Sequence, residues 1–125
     1  MNAETILEQA ADAVIFADRD GTIRVWNAAA SALLGFAKEE ALGANLDLII
    51  PEHLRKAHWA GFDRAMASGT TRLGGQATLT RALHKDGRRL YVEMSFAVAR
   101  TGGEVIGAIA IARDATARQE ARGRG

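Results

Sequence analysis

Residues 74–100 read "GGQATLTRALHKDGRRLYVEMSFAVAR", and the fold class turns on them. Two strand-like runs are joined by Lys85–Asp86–Gly87, a turn composition that predicts a β-hairpin. In the second run Leu90, Val92, Met94, Phe96 and Val98 alternate with Arg89, Tyr91, Glu93, Ser95 and Ala97. Successive side chains of a strand point to opposite faces, so the first set is assigned to the core.

Downstream, "EVIGAIAIARD" (104–114) is apolar on both faces, with Ile106, Ala108, Ala110 and Ala112 set against Val105, Ile109 and Ile111. Such a run predicts a central strand whose second face is covered by the N-terminal helix or by another subunit. Upstream, "PEHLRKAHWAGFDRAMASG" (51–69) reads as a helix opened by Pro51 and stopped by Gly69. Leu54, His58, Phe62, Ala65 and Met66 fall on one stripe of it, and a stripe of that kind faces a core. Nearer the N-terminus, "AVIFADRDGTIRVWN" (13–27) alternates around Asp20–Gly21 and predicts a second hairpin, with Val14 and Phe16 paired with Ile23 and Val25 on one face. Asn27 is placed to cap the short helix "AAASALLG", which ends at Gly35. "KEEALGANLDLII" holds one or two short turns, and residues 2–11 form an amphipathic helix. Two strands, several helices and three strands give an α+β domain, one five-stranded antiparallel sheet with helices packed on one face.

At 125 residues the chain suffices for one domain, assigned to 1–117, with 118–125 a polar tail or the start of a connecting helix. A net charge of +1, with basic residues scattered among acidic ones, argues against a nucleic-acid partner. The absence of cysteine excludes disulfides, thiolate nucleophiles, cysteine-type zinc sites and covalent haem attachment. No apolar run approaches the ~20 residues of a membrane span and no secretory signal is present, so a cytoplasmic location is the default expectation. "DRDG" (18–21) lacks the later acidic ligands of a calcium loop and reads as a turn. No spacing suggests a catalytic constellation.

The order of elements, with "VIFADRDGTIRVWNAAASALLGF", "EEALGANLDLIIPEH", "HKDGRRLYVEMSFA" and "GAIAIARDATARQ", resembles a PAS domain over residues 5–117. The last stretch carries the Asp114-x-Thr116 ending typical of that family, where a signalling helix usually begins. The resemblance implies a non-enzymatic sensory or interaction module. Its occupant would be haem b, a non-covalent flavin, a small organic ligand or nothing, since flavin adduct chemistry needs a cysteine. The helix at 51–69 resembles that of the haem-binding oxygen sensors, whose proximal histidine stands seven residues after a proline, as His58 does after Pro51.

On that resemblance His58 is the metal ligand, Gly61 leaves room for a macrocycle, Phe62 walls it, and Arg64 meets a propionate. Leu54 and Met66 would add apolar wall. The distal apolar residues map to Leu73, Met94 and Phe96, and Met94 is a possible sixth ligand. The oxygen-stabilising arginine of the subgroup falls on Thr78 and its sulfur ligand on Gln76, which turns the expectation toward carbon monoxide, nitric oxide or redox state. His53, about 140° around the helix from His58, and His84, beside the hairpin turn, are expected at the surface. The partners implied are a diatomic ligand at haem, a second copy through the N-terminal helix and outer sheet face, and a possible output domain. A lone histidine on an apolar helix face is more often a hydrogen-bonded core residue, so a cofactor-free dimerisation module and a small-ligand receptor stand as alternatives.

Overall fold

A computed structural model describes residues 2–71 and 74–124. Helix α1 (Ala3–Gln9) begins at Asn2, whose side chain accepts from the Thr5 amide at 2.9 Å. Strands β1 (Ala13–Asp18) and β2 (Ile23–Trp26) form the first hairpin. Asp18 Oδ1 accepts from the Asp20 and Thr22 amides and Gly21 takes φ +80°, which makes "DRDG" a turn. Helices α2 (Ala28–Leu34) and α3 (Lys38–Ala41) and 3-10 turns at Leu46–Ile49 and Glu52–Leu54 lead into α4 (Arg55–Ser68), which Gly69 ends at φ +75°. Strands β3 (Thr78–Leu83), β4 (Arg89–Thr101) and β5 (Glu104–Asp114) follow, then helix α5 (Thr116–Arg124).

The strands pair antiparallel in the order β2-β1-β5-β4-β3, so the strand apolar on both faces is the central one. Leu90, Val92 and Met94 are buried as their alternation predicts. The first hairpin does not keep Val14, Phe16, Ile23 and Val25 on one face. In β1 the buried residues are Ala13, Ile15 and Ala17, and Val14 and Phe16 lie on the outer face. In β2 they are Ile23 and Trp26, three residues apart, and a register shift between Phe16 and Ala17 lets both point inward.

Asn27, 2% exposed, explains how α1 and α2 are held together. Its Oδ1 accepts from the Val14 and Ala30 amides, and its Nδ2 donates to the Leu7 and Asp12 carbonyls. All its hydrogen-bonding capacity is used, as burial of an amide requires. Helix α1 therefore rests beside α2, with Lys38 pairing Glu8 at 2.7 Å, and Ile111 near the middle of the outer sheet face stays 41% exposed. The expectation that the N-terminal helix covers β5 is not met.

The second hairpin folds onto α2. The Lys85 amide donates to Leu34 O, and Lys85 Nζ meets Glu40 at 2.7 Å. His84 is half-buried, contrary to the surface position expected of it: its ring lies where a Cβ on Gly35 would be, 2.5 Å from that point. His53 is exposed as expected. No helix among the described residues is long and apolar enough to cross a membrane.

Candidate functional site

Between α4 and the inner face of the sheet lie two adjoining chambers. The inner one, of about 120 Å³, is lined by Ile15, Ala17, Leu46, Ile49, Ile50, Leu54, Thr80, Met94 and Ala110. The outer one, of about 240 Å³, is lined by Ala57, Gly61, Ala65, Thr71, Gly75 and Gln76. His58, Phe62, Phe96 and Ala108 line both and so form the partition between them.

The position of His58 is set by how α4 is pinned. Arg55 Nε donates to Ile50 O at 3.0 Å and its Nη2 to Asp47 O at 3.2 Å. Trp59 Nε1 donates to Asp47 Oδ1 at 2.7 Å. The far edge of the Trp59 indole lies against Gly21, where a Cβ would come within 2.2 Å of the ring. Two residues of the first α4 turns, Arg55 and Trp59, are thus fixed to the segment before it and to the β1–β2 turn. Trp59 in turn meets His58 edge to face, ring centroids 4.7 Å apart, and meets Phe62 likewise at 5.2 Å.

The His58 Nδ1 atom is buried with no hydrogen-bond partner among the described residues. Burial pushes the imidazole below its ordinary value of 6.5, against the weaker opposing pull of Asp47 and Asp63. At neutral pH the ring is therefore uncharged, which is the form that binds a metal or exchanges a hydrogen bond with a neutral ligand. Around Gly61 there is space: an added Cβ would meet only Arg64 Nη2, at 3.8 Å. Arg64 is exposed and shares a surface hollow with Gly61 at the outer chamber's side.

The residues singled out in the sequence divide accordingly. His58, Phe62 and Phe96 stand at the partition, Gly61 and Gln76 in the outer chamber, Leu54 and Met94 in the inner one. Met66 is buried in the core but lines neither chamber, and Thr78 yields its place to Thr80. Leu73 lies outside the described residues. The sequence reading missed Trp59, Thr80 and the isoleucines at 49 and 50. The alanines at 108, 110 and 112 on one face of β5 were the available signal, since small side chains there leave volume beside the sheet.

The fit to a prosthetic group can be judged on these features. A half-buried neutral imidazole with a buried, unpartnered nitrogen, apolar walls and a glycine facing open volume suit a flat apolar group bound through His58. No group of three or more His, Cys, Asp or Glu residues able to hold a bare metal ion occurs among the described residues.

Comparison with known proteins gives the family. The PAS-fold family matches residues 2–115, and the chain belongs to that family. It is 28% identical over 110 residues to the oxygen sensor protein DosP of Escherichia coli, covering 88% of this chain and 14% of that one. It is 28% identical over 100 residues to the sensor protein FixL of Bradyrhizobium diazoefficiens, covering 80% of this chain and 20% of that one. A PAS domain from Colwellia psychrerythraea superposes with a TM-score of 0.79 at 25% identity, covering 91% and 94% of the two chains. The chain thus spans a small part of those sensors and is a sensory PAS domain similar to signal-transduction proteins; the family is generally non-catalytic.

Proposed function

We propose that this domain is a non-enzymatic haem b sensor in which His58 is the proximal ligand. The observation that carries the reading is the half-buried, uncharged His58 imidazole with a buried, unpartnered Nδ1, standing at the partition of two apolar chambers. The resemblance of the 51–69 helix to oxygen sensors supports it, as does similarity to a protein named as one. In this reading Gly61 keeps the slot open, Phe62 and Phe96 flank the ring, and Arg64 answers a propionate. Met94 stands on the distal side, with Leu73 assigned there by the sequence pattern. Bound haem would supply an iron centre that takes a diatomic ligand or changes oxidation state. A bound macrocycle has to span both chambers, each smaller than the ~300 Å³ at which ordinary ligand pockets begin. Occupancy therefore displaces Phe62 and Phe96 and is felt along β4.

Strand β4 leads to the exit of the domain. The Ala115 amide donates to Tyr91 O at 2.8 Å, and Thr116 Oγ1 accepts from the Tyr91 amide at 3.1 Å. Tyr91 is three residues from Met94 on the same strand. A shift of β4 at the cavity would thus reach α5 and an output domain beyond it. The test is absorbance of the purified chain before and after haemin. A sharp Soret band is expected for the wild type and its loss for His58→Ala; full haem retention by that variant would sink the assignment.

A cofactor-free dimerisation module is the second reading. It is favoured by the outer sheet face, where Ile111 and Leu79 are each 41% exposed beside Val14, Phe16 and Ile109. A second copy of the chain is the occupant this reading assigns.

A further inference from the structure

We propose that Trp59 couples the cavity partition to the β1–β2 turn, so that a change at His58 or Phe62 is read out at a second surface, at the opposite end of β5 from helix α5. The inference concerns the regulation of the site described above and does not depend on haem occupancy.

The indole stands between the two. On the cavity side it meets His58 at 4.7 Å and Phe62 at 5.2 Å between ring centroids, both edge to face. On the other side it lies directly on backbone, because a Cβ at Gly21 would run into the ring and Gly21, at φ +80°, carries none. Its Nε1 donates to Asp47 Oδ1 at 2.7 Å, which holds a third edge. A ring packed on three sides passes a displacement on rather than absorbing it. Movement of His58 or Phe62 therefore reaches the peptide at Gly21, where there is no side chain to rotate aside.

The turn is bonded as a unit. Asp18 Oδ1 accepts from the Asp20 and Thr22 amides at 2.9 and 3.1 Å, and Asp18 O accepts from the Gly21 amide at 2.9 Å. Gly21 O accepts from the Leu46 amide at 3.0 Å, and Arg19 Nη1 donates to Val105 O at 3.0 Å. The turn thus grips the start of β5, whose register sets Asp18 opposite Gly107 and Ala13 opposite Ala112, while α5 follows the end of that strand. Arg19 and Asp20 are exposed, so a partner that touches the turn meets charged side chains on a backbone that answers to Trp59. The route through Tyr91 and Thr116 leaves at the other end of the sheet, and the two outlets are separately measurable.

The test is NMR of the full chain without haemin, comparing the wild type with His58→Leu. The Trp59 Nε1–H and the amides of Asp20, Gly21 and Thr22 should shift. Hydrogen exchange at Thr22 should change by about twofold or more, the lower bound for residues coupled through contact. The Trp26 Nε1–H, which donates to Ser31 Oγ and Phe36 O, should stay in place and so report an intact fold. In a Trp59→Leu background the same His58→Leu change should leave the turn amides and their exchange unmoved, since the ring joining the two sites is gone. Should that background not fold, Trp59→Phe takes its place. It lacks both the second ring and the bond to Asp47, and the response at the turn should fall by at least about half. A turn that ignores His58→Leu, or that responds equally with and without the indole, would overturn the proposal. Haemin absorbance is read in a separate sample, so a chain that takes up no haem refutes the haem reading only, and the substitutions still decide this one.

Discussion

Gly61 sits in the interior of α4, where glycine costs about 1 kcal/mol relative to alanine. Its Cβ position is open apart from the Arg64 guanidinium. Gly61→Ala should therefore stabilise the haem-free chain by up to ~1 kcal/mol, read as a raised Tm. Gly61→Leu should keep the fold but fill the outer chamber and abolish cofactor retention in the haemin titration. Parallel loss of fold and loading would show that the glycine is there for packing alone. At His58 the prediction concerns pH. A folded-state value below the ordinary 6.5 means that the unfolded chain binds more protons as pH falls. The stability due to this group is fully present above 6.5 and declines as pH drops toward the folded value. Thermal melts from pH 7.5 to 5 should show a steeper loss for the wild type than for His58→Leu, and parallel slopes would refute it.

Between elements, the closing turn of the domain is held by Thr116. Its hydroxyl accepts from the Tyr91 amide and donates to the Tyr91 carbonyl, extending the β4–β5 ladder by a side chain. Asp114 Oδ1 accepts from the Thr116 amide at 2.9 Å and caps the first turn of α5. Arg118 then pairs with Glu93, and Arg113, opposite Glu93 in the register, pairs with Asp12. These pairs lie at the surface, where solvent screening leaves them little to contribute. The Thr116 contacts matter more, because the β4–β5 ladder ends at Val92 and Asp114, and the Tyr91 N–H beyond it finds its partner in the Thr116 hydroxyl. Thr116→Val should speed hydrogen exchange at Tyr91 and along α5 while leaving His58 and the chambers unchanged. Unaltered exchange at Tyr91 would show that the hydroxyl does not hold the exit.

At the scale of the whole molecule the sheet has one face committed to the cavity and one open. Ile111→Lys places a charge near the centre of the open face, far from His58 in the chain and on the opposite side of the sheet. If the face joins two copies, sedimentation should show a dimer for the wild type and a monomer for this variant. Haem loading should be unaffected. A monomeric wild type would leave the cavity reading standing and remove the dimer.

Alternation along β4 and the two-sided apolar run of β5 were enough to place both strands, because each pattern admits one arrangement. The helix carrying His58, its stop at Gly69 and the cap at Asn27 were legible for the same reason: local chemistry settles them. In β1 it does not. Val14, Ile15, Phe16 and Ala17 are all apolar, so period two yields two equally greasy faces, and the register shift between Phe16 and Ala17, opposite Val25 and Ile23, makes the choice. His84 looked like a turn residue, yet Gly35 leaves a gap on a helix 49 residues earlier in the chain that its ring fills. The partition of the cavity, the pinning of α4 through Trp59 and Asp47, and the open outer face have the same origin. They depend on which side chains meet across elements distant in sequence, and steric fit between such elements is decided only when the sheet and helices close on one another.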